Sequence, residues 1–331
     1  MKKVALIGLG KMGFSHAAIL NSLDGVDVCG AADKSKLMIW GFNKYSNIKV
    51  YDDFKVMIDL CNPDAVIIST PTSSHFEITK YCLNQNIHVF LEKPCCLNYA
   101  DSLELERLAS KNNLILQIGY HNRYINTFNH LQSIVKRKEF GEIKKFEAHS
   151  YGPVVIKKQK ANWRSKKENG GGCLYDYASH VINLVEYTFG EIKHVDNSSL
   201  DSIYSEHVDD SVKSNLFLEK NISGILSVNW SKKNFRKMTT YLKAYYDDVE
   251  IVCNSTELTI KKNDSIEKKY ITDDYKMVEF YLRGEEYSLQ LQDFISSISN
   301  NNLTRNNIKF AKNTDKIIES IFLDSKSRMN T

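Results

Sequence analysis

What this 331-residue sequence lacks narrows it before any motif does. No stretch approaches the ~20 apolar residues of a membrane span, so no membrane association is expected. The seven cysteines are an odd number with no Cys-x-x-Cys spacing, which argues against disulfides and structural zinc and for a reducing, cytoplasmic compartment. Cys95 and Cys96 are adjacent and poorly placed to chelate together, and no metal is expected. Charge of one sign is also scarce: 44 Lys and Arg against 40 Asp and Glu leave a net +4. That excess is too mild for a nucleic-acid surface and compatible with an anionic small molecule. Internal repeats and low-complexity linkers are missing too. Lys2-Lys3 followed by VALIGLG imitates the start of a signal peptide, but Lys11 interrupts it and no cleavage site is seen after it.

The length suggests two domains, expected over 1–120 and 121–331. Lys3 to Ile7 reads as a short apolar strand running into Gly8-Leu9-Gly10-Lys11-Met12-Gly13, then a helical pattern carrying Phe14, Ala17, Ala18 and Leu20. Val26 to Ala32 reads as a second strand ending at Asp33, 20 residues beyond Gly13. Strand, glycine turn, helix and acid in this order form a dinucleotide fingerprint. Gly8 permits the tight turn, Gly10 lets backbone approach a pyrophosphate, and Gly13 lets helix pack on strand. The helix start then favours phosphate charge. Asp33 can accept bonds from ribose hydroxyls and would repel a 2′-phosphate, which favours NAD over NADP. Lys34 softens that preference.

Further strands at Lys49 to Tyr51, Ala65 to Ile68 and Leu114 to Ile118, with helices between, predict a parallel, doubly wound α/β sheet. His88 to Pro94, reading HVFLEKP, belongs to it. Val89, Phe90 and Leu91 have the character of a buried strand, and Pro94 ends it. Glu92 and Lys93 therefore sit at a strand's carboxyl end, where ligands bind in open α/β sheets. The plainer alternative is a surface salt bridge.

From Ile143 the pattern becomes Lys144 to Ser150, Ser211 to Leu218, Ser223 to Trp230, Thr239 to Tyr246, Val249 to Cys253 and Leu258 to Ile260. This predicts an α+β domain with a large, open, mostly antiparallel sheet. Helical segments are expected at Cys173 to Phe189 and after Tyr275. Gly170-Gly171-Gly172 precede the first, in which Asp176 and His180 lie four apart and share a face. Three glycines let another surface approach closely, as a cofactor or substrate would, although an Asp and His at this spacing can be a plain surface pair.

Together the amino-terminal GxGxxG, Thr70-Pro71-Thr72-Ser73-Ser74-His75, the EKP ending at Pro94, and the triple glycine before Asp-x-x-x-His resemble the glucose-fructose oxidoreductase, inositol dehydrogenase and MocA family. The resemblance spans essentially the whole chain. It implies a Rossmann domain followed by an open-sheet domain, and oxidation of a sugar or polyol hydroxyl or reduction of the ketone. By position it implies catalytic roles for Lys93, Asp176 and His180. His180 would be the acid/base; Lys93 would stabilise alkoxide character as an ammonium or relay the proton; Asp176 would orient the hydroxyl or tune His180. Glu92 would position Lys93 or the cofactor. The sequence departs at Ala178, where the family often has glycine, and at Asn183, where it often has aspartate.

The resemblance also places Lys11, Met12, Thr70, Pro71, His75, Asn122, Trp163 and Arg164 beside the cofactor, and Tyr120, Arg123 and Tyr281 beside the substrate. His75 has the alternative of a helix-start cap and Arg123 that of a structural ion pair. Phe280 to Tyr287 looks like a segment of members acting on nucleotide-linked sugars. Basic clusters at Lys157, Lys158, Lys160, Arg164, Lys166 and Lys167, and at Lys232, Lys233, Arg236 and Lys237, would hold a diphosphate or simply be solvated. A sugar or nucleotide-sugar oxidoreductase, the latter suited to surface-polysaccharide synthesis, is the leading expectation. A free polyol dehydrogenase, an NAD-dependent glycosidase and a cofactor-sensing binding protein are the others. A homodimer or homotetramer through the open sheet is expected.

Overall fold

A computed structural model describes residues 1–158, 162–263, 265–271, 284–300 and 302–329. The chain divides into two compact units. The first holds Met1–His121 together with the described residues 284–300 and 302–312; the second holds the described residues of 122–271 and 313–329.

In the first unit β1 (Lys2–Ile7), β2 (Val26–Ala32), β3 (Val50–Tyr51), β4 (Ala65–Ile68), β5 (His88–Leu91) and β6 (Leu116–Ile118) form a parallel sheet in the order β3-β2-β1-β4-β5-β6. The order reverses between β1 and β4, so loops leaving these strands flank a switch-point crevice. Helices α1 (Lys11–Asn21), α2 (Lys36–Tyr45), α3 (Phe54–Cys61), α4 (His75–Asn84) and α5 (Tyr99–Lys111) connect them. The central strands are apolar through Val4–Ile7, Ala65–Ile68 and Val89–Leu91 because both faces are covered there. Ile68, Val89 and Leu91 belong to one core and Ile67 and Phe90 to the other, all fully buried. Asp53 and Asn98 cap α3 and α5 through bonds of 2.7 and 2.9 Å from Lys55 and Asp101 amides, which sets where each helix starts.

The second unit carries α6 (Asn126–Arg137), β7 (Lys145–Tyr151), α7 (Ser179–Phe189), β8 (His194–Asp201), β9 (Ser211–Phe217), β10 (Ser223–Asn229), β11 (Thr239–Tyr245), β12 (Val249–Asn254), β13 (Glu257–Lys262) and β14 (Ser265–Ile271). Its eight strands run β14-β13-β12-β11-β7-β10-β9-β8, antiparallel except for the β7–β10 pair. Phe146, Ala148, Leu226, Val228, Leu242 and Ala244 face one core with Leu131 of α6 and Val181 and Val185 of α7. The alternate residues form the other face.

Two expectations need correcting. The second domain does not run unbroken to residue 331: α8 (Glu285–Asn300) packs in the first unit, where Leu291 and Phe294 join Leu6 and Phe90 in one core. Gln117 Nε2 also donates to the Gln290 carbonyl at 2.8 Å. The division falls within α9 (Ile308–Met329), whose Ile308 and Ala311 join a core of the first unit while Ile317, Ile318 and Ile321 join that of the second. Strands β8 and β14 were also not anticipated. Both are sheet edges of largely polar sequence, paired on one side only.

Candidate functional site

The glycine turn of the first unit is built as its spacing requires. Gly8 has φ +94°, and a side chain there would meet the Ser69 carbonyl at 2.8 Å. At Gly13 it would meet the Gly8 carbonyl oxygen at 2.0 Å, so α1 and the turn pack as only glycine permits. Gly10 differs: its missing Cβ would touch nothing within 4 Å. It is exposed, it precedes α1, and α1 has no side-chain cap and no acid in its first turn. The first N–H groups of that helix have no side-chain cap at Gly10 and lie beside exposed Lys11 and half-buried Met12. This cradle fits a dinucleotide pyrophosphate.

Asp33 follows β2, and its carboxylate accepts the Leu9 amide at 2.6 Å and the Ser35 amide at 2.7 Å. It thus ties the glycine turn to the loop that starts α2, while a carboxylate's remaining lone pairs can still accept ribose hydroxyls. Lys34 beside it is exposed. After β4, Ser69 Oγ donates to the Gly8 carbonyl at 2.8 Å and Ser74 Oγ to Thr70 Oγ1 at 2.8 Å. Pro71 is exposed at the loop tip.

His75 is buried and does not present its ring outward. Its Nε2 lies 2.9 Å from the Thr70 carbonyl, and Nδ1 3.0 and 3.3 Å from those of Pro94 and Cys95. Burial lowers its basicity, opposed by these carbonyls. It pins the Thr70 loop to the loop after β5, which is a positioning role in place of the expected cofactor contact.

That loop holds Glu92, buried, and Lys93, half-buried, with a cis peptide before Pro94. Glu92 Oε1 lies 2.7 Å from Nε2 of His16 on α1, and Oε2 accepts the Lys93 amide at 3.3 Å. Burial by itself would raise the Glu92 carboxyl, but the His16 bond and the nearby Lys93 and His121 charges outweigh it and hold it low. His16 was not singled out from the sequence. The one available signal was a polar ring among Ala17, Ile19 and Leu20 on the buried face of α1. Tyr120 points into the core of this unit and is buried, with its carbonyl bound by Asn306 Nδ2 at 2.6 Å, which places it away from an open ligand surface.

In the second unit the triple glycine closes on the chain itself. A Cβ at Gly171 would lie 2.3 Å from the Arg164 carbonyl oxygen, and one at Gly172, φ +102°, 2.5 Å from Asp209 Oδ1. At these two positions the missing side chains make room for Arg164 and Asp209 of the protein itself, where a cofactor or substrate was expected. Asp209 anchors the start of the next helical segment, its carbonyl accepting the Cys173 amide at 2.9 Å and its Oδ2 the Leu174 amide at 2.7 Å. Burial pushes the Asp209 carboxyl up to about 6. Leu174–Ala178 then forms a π-helical turn before α7, so the single α-helix expected from Cys173 begins with a widened turn. Such turns recur at functional sites because they re-aim side chains.

Asp176 sits in that turn, buried, and Arg164 Nε donates to its Oδ2 at 2.9 Å. Arg164 also lies over the exposed Trp163 ring at 4.5 Å. Both residues were expected beside the cofactor; within this unit Arg164 orients Asp176. His180 is half-buried in the first turn of α7. Burial, then the Asp176 charge, pushes neighbouring Tyr177 up to about 12, so it is a donor and not a base near neutrality. Arg123 is buried, donates from Nε to Asn183 Oδ1 at 2.7 Å and stacks over Tyr187 at 5.0 Å. Asn183 Nδ2 in turn donates to Thr314 Oγ1 at 3.0 Å. Arg123 thus bonds Asn183 within this unit, through an amide oxygen and not through the carboxylate that a structural ion pair would require. Asn122 is buried at the head of the second unit. Tyr281 and Lys160 lie outside the described residues. Lys158 pairs with Glu206 at 2.8 Å, and Lys233 lies over Tyr204.

A groove lined by Asp59, Asp64, Asn86 and His88 opens at the amino-terminal edge of the first sheet, the opposite edge from the glycine turn, and is not the candidate site. Among the described residues no group of His, Cys, Asp or Glu could hold a metal ion, and no helix is long and apolar enough to cross a membrane.

A parallel sheet with an open glycine cradle and an acid after β2 defines a dinucleotide-binding protein, here joined to an open-sheet unit. Residues 2–120 match the oxidoreductase family model with the NAD-binding Rossmann fold, and residues 128–254 match the GFO/IDH/MocA C-terminal domain. The chain belongs to the Gfo/Idh/MocA family, and its first unit is the family's NAD-binding domain. It is 26% identical over 191 residues to glucose-6-phosphate 3-dehydrogenase of Bacillus subtilis, covering 57% of this chain and 54% of that protein. It is 26% identical over 200 residues to scyllo-inositol 2-dehydrogenase (NADP(+)) of the same organism, covering 58% and 53%. The chain thus spans about half the length of the curated relatives it matches. Levoglucosan dehydrogenase in complex with NADH shares the fold at a TM-score of 0.88 and 18% identity, over 98% of this chain and 97% of that one.

Proposed function

We propose that the protein is an NAD-dependent oxidoreductase that interconverts a hydroxyl and a ketone on a sugar or polyol. The observation that carries this reading is the joint presence of an open glycine cradle with Asp33 behind it and of Lys93 on the adjoining carboxyl edge. Relatives named as sugar and inositol dehydrogenases support the substrate class.

When bound, NAD supplies the two-electron acceptor for the carbinol hydrogen. The residues supply the rest. Lys93, as an ammonium, hydrogen-bonds the reacting oxygen and stabilises its alkoxide character. His180 takes the hydroxyl proton, a task suited to an imidazole near neutral pH. Asp176, held by Arg164, orients the hydroxyl. Asp33 favours NAD over NADP by repelling a 2′-phosphate.

A nucleotide-linked substrate is the finer reading, supported by the basic residues near Arg164, of which Lys158 is already paired. Self-association through the open face of the second sheet is supported by its half-buried Glu147, His149, Tyr151, Tyr241 and Tyr245. Sedimentation showing only monomers would remove that part. Seven free cysteines support residence in a reducing compartment.

The test is NADH formation from glucose, glucose 6-phosphate, myo-inositol, UDP-glucose and dTDP-glucose, with NAD and NADP compared. Turnover of free sugars without binding of either nucleotide sugar removes the finer reading. Lys93→Ala should lower kcat by about 10²–10³-fold with NADH affinity retained. Near-normal turnover of that variant returns Lys93 to a surface role.

A further inference from the structure

His16 lies on the buried face of α1, outside the dinucleotide fingerprint, and is fully buried. Its ring sits edge-on to Phe90 at 5.3 Å, and its Nε2 lies 2.7 Å from Glu92 Oε1. Nδ1 is sealed from solvent and has no partner among the described residues. That asymmetry constrains the charge. An imidazolium would pair its charge with Glu92 but would bury a second N–H, on Nδ1, with no acceptor; a neutral ring leaves only a lone pair unmatched there, which costs less. The neutral ring therefore donates its Nε2–H to the carboxylate, and the pair carries one negative charge, on Glu92.

The other oxygen of Glu92 is committed to the next residue. Oε2 accepts the Lys93 amide at 3.3 Å and lies 3.2 Å from where a side chain on Gly119 would begin, so a methyl there would crowd the carboxylate. Beyond the His16 bond, the charges of Lys93 and His121 act on it. A buried anion is thus fixed between the helix that follows the glycine turn and the lysine at the sheet edge.

We propose that His16 is a positioning residue for Lys93: as a neutral donor it keeps Glu92 ionised and in place, so that Lys93 meets the reacting oxygen as an oriented ammonium and not as a base. The inference rests on the reading that Lys93 contacts the substrate hydroxyl. It selects one of the two roles open to that lysine and leaves the proton to His180.

Turnover of the substrate found in the sugar panel, NADH affinity and the pH profile of kcat are measured for His16→Leu, His16→Gln, Glu92→Gln, the His16→Leu/Glu92→Gln pair and Lys93→Ala. His16→Leu and Glu92→Gln should each lower kcat by about 10–100-fold with NADH affinity within about twofold, and the pair should be no worse than Glu92→Gln alone, because both act through one anion. His16→Gln, which restores a neutral donor, should recover most of the loss with the wild-type pH profile. ¹⁵N imidazole spectra, which need no substrate, should show His16 as the neutral Nε2–H tautomer.

Wild-type turnover in His16→Leu, independent losses in the pair, or a cationic His16 would overturn the proposal. If His16→Leu does not fold, His16→Gln decides: a retained pH profile supports the neutral donor and an altered one refutes it. Loss of turnover in Lys93→Ala beside a normal His16→Leu sinks only this inference, whereas an active Lys93→Ala sinks the reading of Lys93 on which it stands.

Discussion

The two units use glycine for opposite purposes and treat a buried glutamate in opposite ways. At Gly10 the absent Cβ faces empty space, whereas at Gly171 and Gly172 it would strike the chain's own Arg164 and Asp209. One turn leaves room for a ligand; the other closes a loop that holds Asp176 to Arg164. Glu92 is buried with a full partner in His16 and stays ionised. The carboxylate oxygens of Glu186, on α7, are sealed too, but the Ile192 amide and Thr314 stand near them without a close hydrogen bond such as His16 makes to Glu92. Its aliphatic stem is partly exposed, so the sealing concerns the charged end. A glycine-rich motif or a buried acid therefore has no fixed meaning until its neighbours are known.

Gly171→Ala should break the comparison most severely. Its new methyl would press on two carbonyl oxygens, those of Arg164 at 2.3 Å and Lys166 at 2.8 Å, and backbone cannot step aside as a flexible side chain can. We expect a loss of about 3 kcal/mol or more in denaturant unfolding of the second unit, together with loss of turnover. NADH titration should be nearly unaffected.

Glu186→Gln tests the contrast between the acids. Burial pushes the Glu186 carboxyl up to about 7, and the Arg123 charge, the Ile192 amide and Thr314 offset only part of this. With its folded value raised, the native state holds the proton more tightly than the unfolded chain does. The stabilisation is present below the ordinary glutamate range and is lost as pH rises through about 7. The wild type should therefore lose about 2–4 kcal/mol between mildly acidic and mildly alkaline pH, and Glu186→Gln should not. Parallel stability curves for the two proteins would contradict a carboxyl raised by burial.

Gly10→Ala is the complement of Gly171→Ala. Gly10 has φ −67°, which alanine adopts, and the methyl meets no protein atom. Stability should change by less than about 0.5 kcal/mol while the NADH Kd rises about tenfold, a cost of about 1.4 kcal/mol in binding. Unchanged affinity would mean that the open space above α1 is not used by the cofactor.

The first unit was far more legible in the sequence than the second. Its signals are local: Gly8, Gly10, Gly13 and Asp33 lie within one strand–turn–helix–strand unit, and β4 and β5 read as continuous apolar runs because both faces are covered. What escaped depends on distant partners. His16 takes its meaning from Glu92, 76 residues away, and the triple glycine from Asp209. The π-turn at Leu174–Ala178 is invisible to a spacing argument, since an inserted residue in a helix leaves the apolar pattern nearly intact. The return of α8 to the first unit could not be read from composition, because Leu291 and Phe294 would serve either core.

Asp33→Asn is the gentlest probe, and it sharpens what the open cradle is shaped for. The carboxylate accepts two amides, from Leu9 and from Ser35, and an asparagine retains one oxygen for them, so one of those bonds is lost and the glycine turn loosens slightly. The cost in stability should be about 1 kcal/mol. The larger consequence is electrostatic: the anion that repels a 2′-phosphate disappears while exposed Lys34 remains beside it as a cation. The ratio of kcat/KM for NADP over NAD should therefore rise severalfold, chiefly through a lower KM for NADP, and the rise should shrink as salt screens Lys34. An unchanged ratio at low salt would show that Asp33 serves the fold of the turn alone and that cofactor choice is made elsewhere.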